Sequence, residues 1–536
     1  MTLRRNTMAL MLPFAVAAPA IAQDARGDAW WAHVAYLASD ELEGREAGSP
    51  GHEKAVQYVI GQFQASGLKP MGEDGFRQPV ALTEQRVLLD RSSATLIGPD
   101  GETALSIPAD IIPGGRGGPP PAMVDAPLVF AGYGLHLPEV GYDDFAGLDL
   151  AGKIVVVISG GPASISGALK SHARSERGGW LAKQGAVGMI ELVTPPQVEI
   201  PWDRRMALAP RAAMYFSDPA MRETSAPFFS AQFDPAKSAM LFAGSGQDFE
   251  KIAAAADASA AVPTFALATR LRASTATTQV ERLSTNVVAM MPGKGKLAKE
   301  YVVLSAHIDG YGVGTPIKGD AIYNGALDNA SGVASLIEIA KKLKADKARP
   351  RRSILFAIVT GEEKGLLGSR YFAKRPTVPK ADIVADLNFD MALPIFKLTS
   401  VTPIGYDQSS LGKDAEAISA AMALPIVPDP FPNRNVFIRS DQYAFIREGI
   451  PALFFKYGFK AGTPEADVEK AWRANIYHSP FDDANQPVMP AETVKLNDYV
   501  AAVTMRVANA KARPAWNADS FFKRFADEAK AGPAKE

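Results

Sequence analysis

The chain contains no cysteine among its 536 residues. Disulfide bonds, thiolate metal sites, cysteine nucleophiles and a lipid-modified N-terminal cysteine are therefore excluded. Any metal ion must be held by imidazole and carboxylate groups, which suit Zn²⁺ or Mn²⁺ better than a metal that needs soft ligands. Imidazoles are themselves scarce, because the chain has only six histidines, namely His33, His52, His136, His172, His307 and His478.

The chain also lacks an excess of charge of either sign, since its formal net charge is −1. This balance gives no reason to expect nucleic acid or an anionic membrane as a partner. The sequence has no G-x-S-x-G motif, which argues against a serine hydrolase. It does not indicate an oligomeric state.

Long hydrophobic runs are missing except at the N-terminus. There, Arg4 and Arg5 precede an apolar stretch at residues 8–18 and the small-residue sequence Ala20-Ile21-Ala22. The apolar stretch is shorter than the ~20 residues that a membrane span needs. The pattern predicts a signal peptide over residues 1–22 and an exported protein, either periplasmic or extracellular.

Three apolar runs in the second half of the chain each end at acidic or imidazole residues. The runs cover residues 301–306, 353–360 and 383–389. The polar residues that follow them are His307, Asp309, Glu362, Glu363 and Asp390. A further acid, Asp328, opens a helical pattern between the first two runs.

This alternation of strand and helix patterns predicts an α/β fold with a central, mostly parallel sheet flanked by helices. Ligands of such sheets gather outside the carboxyl ends of the strands. We therefore expect residues that are distant in sequence to meet at one sheet edge.

Two imidazoles and several carboxylates at strand ends fit a hydrolytic site with two metal ions. Two such ions repel each other, so a carboxylate must bridge them, and Asp328 is the candidate. The terminal ligands are then His307, His478, Glu363 and Asp390.

Three further residues receive roles around these ligands. Glu362 and Glu363 are sequence neighbours that point differently, so we assign Glu362 as the general base that takes the proton from the attacking water. Asp309 is placed to orient the His307 imidazole. Tyr477 either donates a hydrogen bond to the oxyanion or packs beneath the site.

Five motifs in the same order resemble those of the co-catalytic di-zinc aminopeptidase family. They are HID at 307–309, LDNASG around Asp328, GEE at 361–363, NFDM at 388–391 and YHSPFDD at 477–483. That family includes secreted bacterial leucyl aminopeptidases and the glutamate carboxypeptidase II group. The resemblance implies the same five metal ligands, Glu362 as base, two Zn²⁺ ions (with Mn²⁺ or Co²⁺ as alternatives in one site) and peptide substrates.

The resemblance extends to the rest of the chain. Residues 38–72 resemble the family's N-terminal region, and residues 130–157 resemble its inserted protease-associated α+β domain. The expected division is a signal peptide at 1–22, the peptidase domain's N-terminal part at 23–95, the protease-associated insertion at 96–269, the catalytic part at 270–513 and a C-terminal tail at 514–536.

One position departs from the family pattern, because Gln442 stands where many members have histidine in a Ser-Asp-His sequence. Gln442 is not a ligand, so the departure concerns substrate positioning.

The favoured function is an aminopeptidase. A carboxypeptidase or dipeptidase would need a cation such as Arg434 or Arg439 for the substrate carboxylate. A single-zinc glutaminyl cyclase-like enzyme and a non-catalytic binding protein are further alternatives.

Overall fold

The computed structural model of the protein describes residues 17–114, 119–198, 200–224 and 226–531. Residues 1–16, which hold most of the predicted signal peptide, lie outside this part of the chain. Residues 17–22 belong to the first helix. Among the described residues, no helix combines the length and the apolar character that crossing a membrane requires.

The helices and strands alternate along most of the described chain. The α-helices are α1 (Ala17–Leu37), α2 (Pro50–Ala65), α3 (Gly167–Lys183), α4 (Trp202–Leu208), α5 (Phe249–Asp257), α6 (Ser331–Ala345), α7 (Leu367–Lys374), α8 (Leu411–Met422), α9 (Gln442–Arg447), α10 (Pro464–Asn475), α11 (Pro490–Asn509) and α12 (Lys523–Ala531). The strands are β1 (Lys69–Pro70), β2 (Arg77–Val87), β3 (Ser93–Gly98), β4 (Gly101–Leu105), β5 (Ile111–Gly114), β6 (Met123–Ala131), β7 (His136–Leu137), β8 (Tyr142–Asp143), β9 (Ile154–Ile158), β10 (Gly188–Leu192), β11 (Ala213–Phe216), β12 (Phe229–Phe233), β13 (Thr264–Ser274), β14 (Thr277–Met291), β15 (Tyr301–His307), β16 (Gly312–Ile317), β17 (Asp320–Tyr323), β18 (Ser353–Val359), β19 (Ile383–Asn388), β20 (Val401–Ile404) and β21 (Ala452–Tyr457).

The larger sheet has nine strands in the order β11-β2-β14-β18-β15-β19-β21-β20, with β1 paired to β14. Its central strands β18, β15, β19 and β21 are parallel. The outer pairings are antiparallel. The predicted α/β fold is thus confirmed, and the parallel part is the centre of a mixed sheet.

The central strands are buried on both faces, which explains why most of their residues are apolar. Strands β15 and β18 have alternate side chains in two different cores. Helices α1, α2, α6 and α11 pack on one face, and α7 and α9 pack on the other. The strand ends that bear the predicted ligands therefore sit on a sheet held rigidly between two helical layers.

A second sheet of eight strands, in the order β4-β3-β13-β6-β9-β10-β12-β5, has its own apolar core. It runs from Ser93 to Ser274, a few residues beyond the predicted 96–269 on each side, because β3 and β13 continue past those bounds. The insertion is also less separate than expected. Strand β11 lies within it in sequence but pairs with β2 of the larger sheet.

The C-terminal segment, as far as the structure describes it, is packed against α9. Trp516, Phe522 and Phe525 are buried against Tyr443 and Ile446 of α9. Their aromatic rings cover apolar surface of the short helix α9 that would otherwise be exposed to water. The segment therefore supports the helix that follows Ser440 and Asp441.

Candidate metal centre

Five elements bring the predicted ligands to one edge of the larger sheet. His307 ends β15, Glu363 and Asp390 lie just after β18 and β19, and His478 follows α10. Asp328 lies in a wide, π-type turn at Ala326–Ala330 that leads into α6. Such turns often occur at functional sites.

The five side chains form two clusters that share Asp328. One contains His307, Asp328 and Asp390, and the other contains Asp328, Glu363 and His478, with the potential ligand atoms of each within 4.8 Å of one another. Asp328 Oδ1 lies 3.3 Å from His307 Nε2, and Asp328 Oδ2 lies 3.2 Å from His478 Nε2. One carboxylate therefore directs an oxygen atom into each cluster.

Several potential ligand atoms are buried without a hydrogen-bond partner in the described part of the chain. They are His307 Nε2, Glu363 Oε1 and Asp390 Oδ1. Buried polar atoms are nearly always hydrogen-bonded, so a group of orphaned atoms that converge needs an explanation. Divalent cations bound by nitrogen and oxygen ligands would satisfy these atoms, and the donor set fits zinc.

The pKa shifts indicate an excess of negative charge in the site. Burial acts to lower the pKa of His307, but the surrounding carboxylates raise it well above its usual value. Burial and the charge of Asp328 raise the pKa of Glu363 well above its usual value. Burial acts to raise the pKa of Asp328, but the adjacent imidazoles of His307 and His478 hold it far below the usual range. Bound cations would reverse this balance by stabilising the ionised carboxylates.

Asp309 joins the His307 strand to the loop that bears both glutamates. Its two carboxylate oxygens accept hydrogen bonds from the backbone amides of Glu362, at 3.1 Å, and Glu363, at 3.3 Å. The backbone carbonyl oxygen of Asp309 lies 3.2 Å from His307 Nδ1, and its carboxylate lies 3.8 Å from the same nitrogen. The residue predicted to orient one imidazole thus also fixes the glutamate loop.

Gln442 stands outside both clusters. Its amide oxygen accepts a hydrogen bond from Asn388 Nδ2 at 2.7 Å, and its amide nitrogen donates to the carbonyl oxygens of Val436 and Phe437. Asn388 Nδ2 also donates to Ser440 Oγ, which in turn donates to Asp390 Oδ2 at 2.6 Å. Gln442 therefore contacts the metal centre only through a chain of hydrogen bonds.

Tyr477 stacks on the imidazole of His478, with the ring centroids 3.6 Å apart. Its neighbour across the site is Tyr311, whose hydroxyl lies 3.3 Å from His478 Nδ1. Of the two roles predicted for Tyr477, the packing role is therefore visible in the structure, and the oxyanion role stays a prediction. Tyr311 was not identified from the sequence, because no motif distinguishes it from other tyrosines.

Arg45 is a second residue whose importance was not identified from the sequence, because it lies in a charged, glycine-rich stretch that is typical of a solvated loop. The side chain is 1% exposed and donates hydrogen bonds to four backbone carbonyl oxygens. The acceptors are Leu37 O, Ile308 O at 2.9 Å, Asn324 O at 2.6 Å and Gly325 O at 2.9 Å. It thus ties the segment after His307 to the segment before Asp328.

The fold and this pair of clusters define the class of metal-dependent peptidases. Residues 286–504 match the profile described as Peptidase family M28. The chain therefore contains a domain of peptidase family M28, and the family resemblance of the sequence is confirmed.

Individual relatives share only part of the chain. A "Probable leucine aminopeptidase 2" of Aspergillus fumigatus is 33% identical over 189 residues, which is 32% of this chain and 33% of the relative. A "Probable zinc metalloprotease" of Pyricularia oryzae is 37% identical over 106 residues, which is 20% of each chain. The chain thus spans about a third or less of these relatives.

A solved structure shares the fold over most of the chain. The aminopeptidase from Aneurinibacillus sp. strain AM-1 superposes with a TM-score of 0.53 at 19% identity, covering 89% of this chain and 92% of that one.

Proposed function

We propose that the protein is an exported zinc-dependent exopeptidase that removes N-terminal residues from peptides. The observation that carries the proposal is the position of Asp328 between two imidazoles, one at 3.3 Å and the other at 3.2 Å. This arrangement suits two ions bridged by one carboxylate. His307 and Asp390 would complete the first ion's ligands, and Glu363 and His478 the second's.

Two bound zinc ions would supply Lewis acidity, which lowers the pKa of a water molecule and polarises the peptide carbonyl group. The protein's own groups would handle the proton. Glu362 is half-buried and is held in place through its backbone amide by Asp309. In our proposal its carboxylate accepts a proton from the attacking water and passes it to the leaving amine.

The surroundings favour a free N-terminus over a free C-terminus in the substrate. The carboxylates of the site provide acceptors for an α-ammonium group. Arg434, the type of cation that a carboxypeptidase needs for the substrate carboxylate, is instead paired with Glu469 at 2.8 Å. Arg439 Nη1 donates to the backbone carbonyl oxygen of Arg434 at 3.3 Å. These contacts give the carboxypeptidase alternative less support than the aminopeptidase.

The test compares unblocked aminoacyl 4-nitroanilides with their N-acetylated counterparts, using protein whose zinc content is measured by elemental analysis. We expect close to two zinc ions per chain and cleavage of the unblocked series only. Cleavage restricted to blocked substrates, or full activity after exhaustive chelation, would overturn the proposal.

Export rests on the predicted signal peptide. N-terminal sequencing of protein recovered from the periplasm or the medium should give a first residue of Gln23. Recovery of intact protein in the cytoplasm alone would refute export without affecting the enzymatic proposal.

A further inference from the structure

A cavity opens beside the metal centre. Met391, which directly follows the proposed ligand Asp390, forms part of its wall. Residues of β20, β21, α10 and the loop around Asp429 form the rest. A substrate whose N-terminal residue lies at the metal centre would therefore have this cavity next to its first side chain.

Most of the cavity wall is apolar. It includes Met391, Leu393, Phe396, Ile404, Phe431 and Phe459. Such a wall favours contact with the methylene groups of a substrate side chain. By itself it would suit leucine as well as a longer side chain.

The cavity also contains a cation without an anionic partner. Lys456, on β21, is half-buried and makes no hydrogen bond or ion pair with any residue that the structure describes. Its Nζ lies 4.5 Å from the centroid of the Phe454 ring. Burial lowers the pKa of Lys456 to about 8, against the opposite effect of the Asp390 charge. An ammonium group in this position would gain from an anion supplied by a ligand.

The two acids that line the cavity already have other partners. Glu469 pairs with Arg434 at 2.8 Å and with Arg473. Asp429 accepts a hydrogen bond from the backbone amide of Phe431 at 2.9 Å. The cations that line the cavity, Lys456, Arg434 and Arg473, outnumber these two acids, so the net charge of the cavity wall is positive.

We propose that this cavity receives the side chain of the substrate's N-terminal residue, and that Lys456 makes the enzyme prefer an acidic side chain, glutamate above leucine. The inference rests on the aminopeptidase function proposed above. The methylenes of glutamate would contact the apolar wall, and its carboxylate would pair with the Lys456 ammonium. Leucine would fill the same space but leave the ammonium unpaired, and a basic side chain would be repelled.

The test measures kcat/KM of the zinc-loaded full-length enzyme for the 4-nitroanilides of glutamate, glutamine and leucine. Glutamine is the matched probe, because it differs from glutamate in charge but hardly in size. We expect a preference for glutamate over glutamine of at least about tenfold, which corresponds to ~1.4 kcal/mol of transition-state binding.

Three variants test whether the Lys456 side chain causes this preference. K456M should lower the ratio of glutamate to glutamine turnover by about tenfold, and K456R, which keeps the charge, should retain the preference. K460M removes an exposed lysine three residues beyond the strand and should leave the ratio unchanged. Zinc content and thermal unfolding of each variant establish that it is folded.

The outcomes separate this inference from the proposed function. Cleavage of all three substrates without a preference for glutamate, or an unchanged ratio in K456M, overturns the role of Lys456 and leaves the aminopeptidase standing. Failure of the zinc-loaded enzyme to cleave any of them overturns both.

Discussion

The carboxylate of Asp482 accepts a hydrogen bond from the backbone amide of Asp328 at 2.9 Å. Its other oxygen accepts from the amide of Leu327 at 2.9 Å and from Gln486 Nε2 at 2.6 Å. The backbone carbonyl oxygen of Asp482 accepts from the amide of Ala326 at 2.9 Å. A residue four positions beyond His478 thus fixes the turn that directs the proposed bridging carboxylate.

Replacing Asp482 with asparagine should weaken metal binding, because the new amide group faces backbone donors that need an acceptor. Loss of a residue that positions a metal ligand without binding the metal typically costs about 10–100-fold in metal affinity or activity. Zinc affinity can be measured by competition with a chromophoric chelator. The control is D483N, which makes the same charge change at a residue that accepts a local hydrogen bond from the amide of Asn485. Equal affinities in the two variants would count against the role of Asp482.

Replacing Glu362 with glutamine should leave the zinc content unchanged and lower kcat. General acid–base catalysis contributes about 10²–10⁴-fold, and glutamine cannot accept the proton. Elemental analysis and steady-state kinetics on the same sample provide both readouts. A rate equal to that of the wild type would remove Glu362 from the role of base.

Replacing Asp328 with alanine should release metal from both clusters, because this side chain directs one oxygen into each. The variant should also lose the rise in melting temperature that zinc gives the wild type, since a ligand that binds only the folded state stabilises it. Elemental analysis and thermal unfolding with and without chelator test this prediction. The control D346A removes an exposed aspartate that belongs to neither cluster and should keep its zinc. Retention of two zinc ions in D328A would contradict the proposed bridge.

The parts that the sequence predicted well are those that depend on local pattern. The runs that became β15, β18 and β19 are mostly apolar because both faces are covered, and their ends differ from the predicted bounds by one residue. The parallel arrangement then places His307, Glu363 and Asp390 at one edge without further information. This is why a topological rule sufficed to bring together residues separated by long stretches of chain.

The parts that were missed depend on contacts distant in sequence. The charge and glycine-rich neighbourhood of Arg45 are typical of a solvated loop, so its sequence gives no sign of a buried role. Its burial follows from carbonyl groups that only the folded loops near Ile308 and Asn324 supply. In the same way, β11 is too short to reveal from its own sequence that it would pair with β2 instead of its neighbours.

Replacing Arg45 with methionine should destabilise the protein strongly. The change removes a donor from four carbonyl oxygens, one of which, Gly325 O, still accepts from the amide of Ala330 at 3.1 Å. Each buried carbonyl oxygen that is left without a donor costs about 1–3 kcal/mol. We expect a decrease of at least about 3 kcal/mol in the free energy of unfolding, measured by urea denaturation of the zinc-loaded enzyme. R351M replaces an exposed arginine and should have little effect. A decrease in R45M no larger than in R351M would contradict the bracing role.

The inserted segment reaches the metal centre through Arg204 of α4. Its guanidinium donates to the backbone carbonyl oxygens of Tyr477 and Arg473, each at 3.3 Å. These bonds hold the segment that leads into His478. The insertion therefore affects the position of a proposed ligand. Deleting the whole insertion would change the metal centre as well as any contacts with the substrate.

A point substitution separates this effect from the loss of a whole sheet. R204M should lower kcat/KM by up to about tenfold, equivalent to ~1.4 kcal/mol, because the carbonyl groups lose a charged donor but remain able to bind water. The matched control is R270M, in the same insertion, which removes an exposed ion pair with Asp125 on the second sheet. We expect R270M to keep wild-type kinetics. If both variants behave alike, the insertion influences the enzyme only through overall stability, and the proposed link from α4 to His478 is wrong.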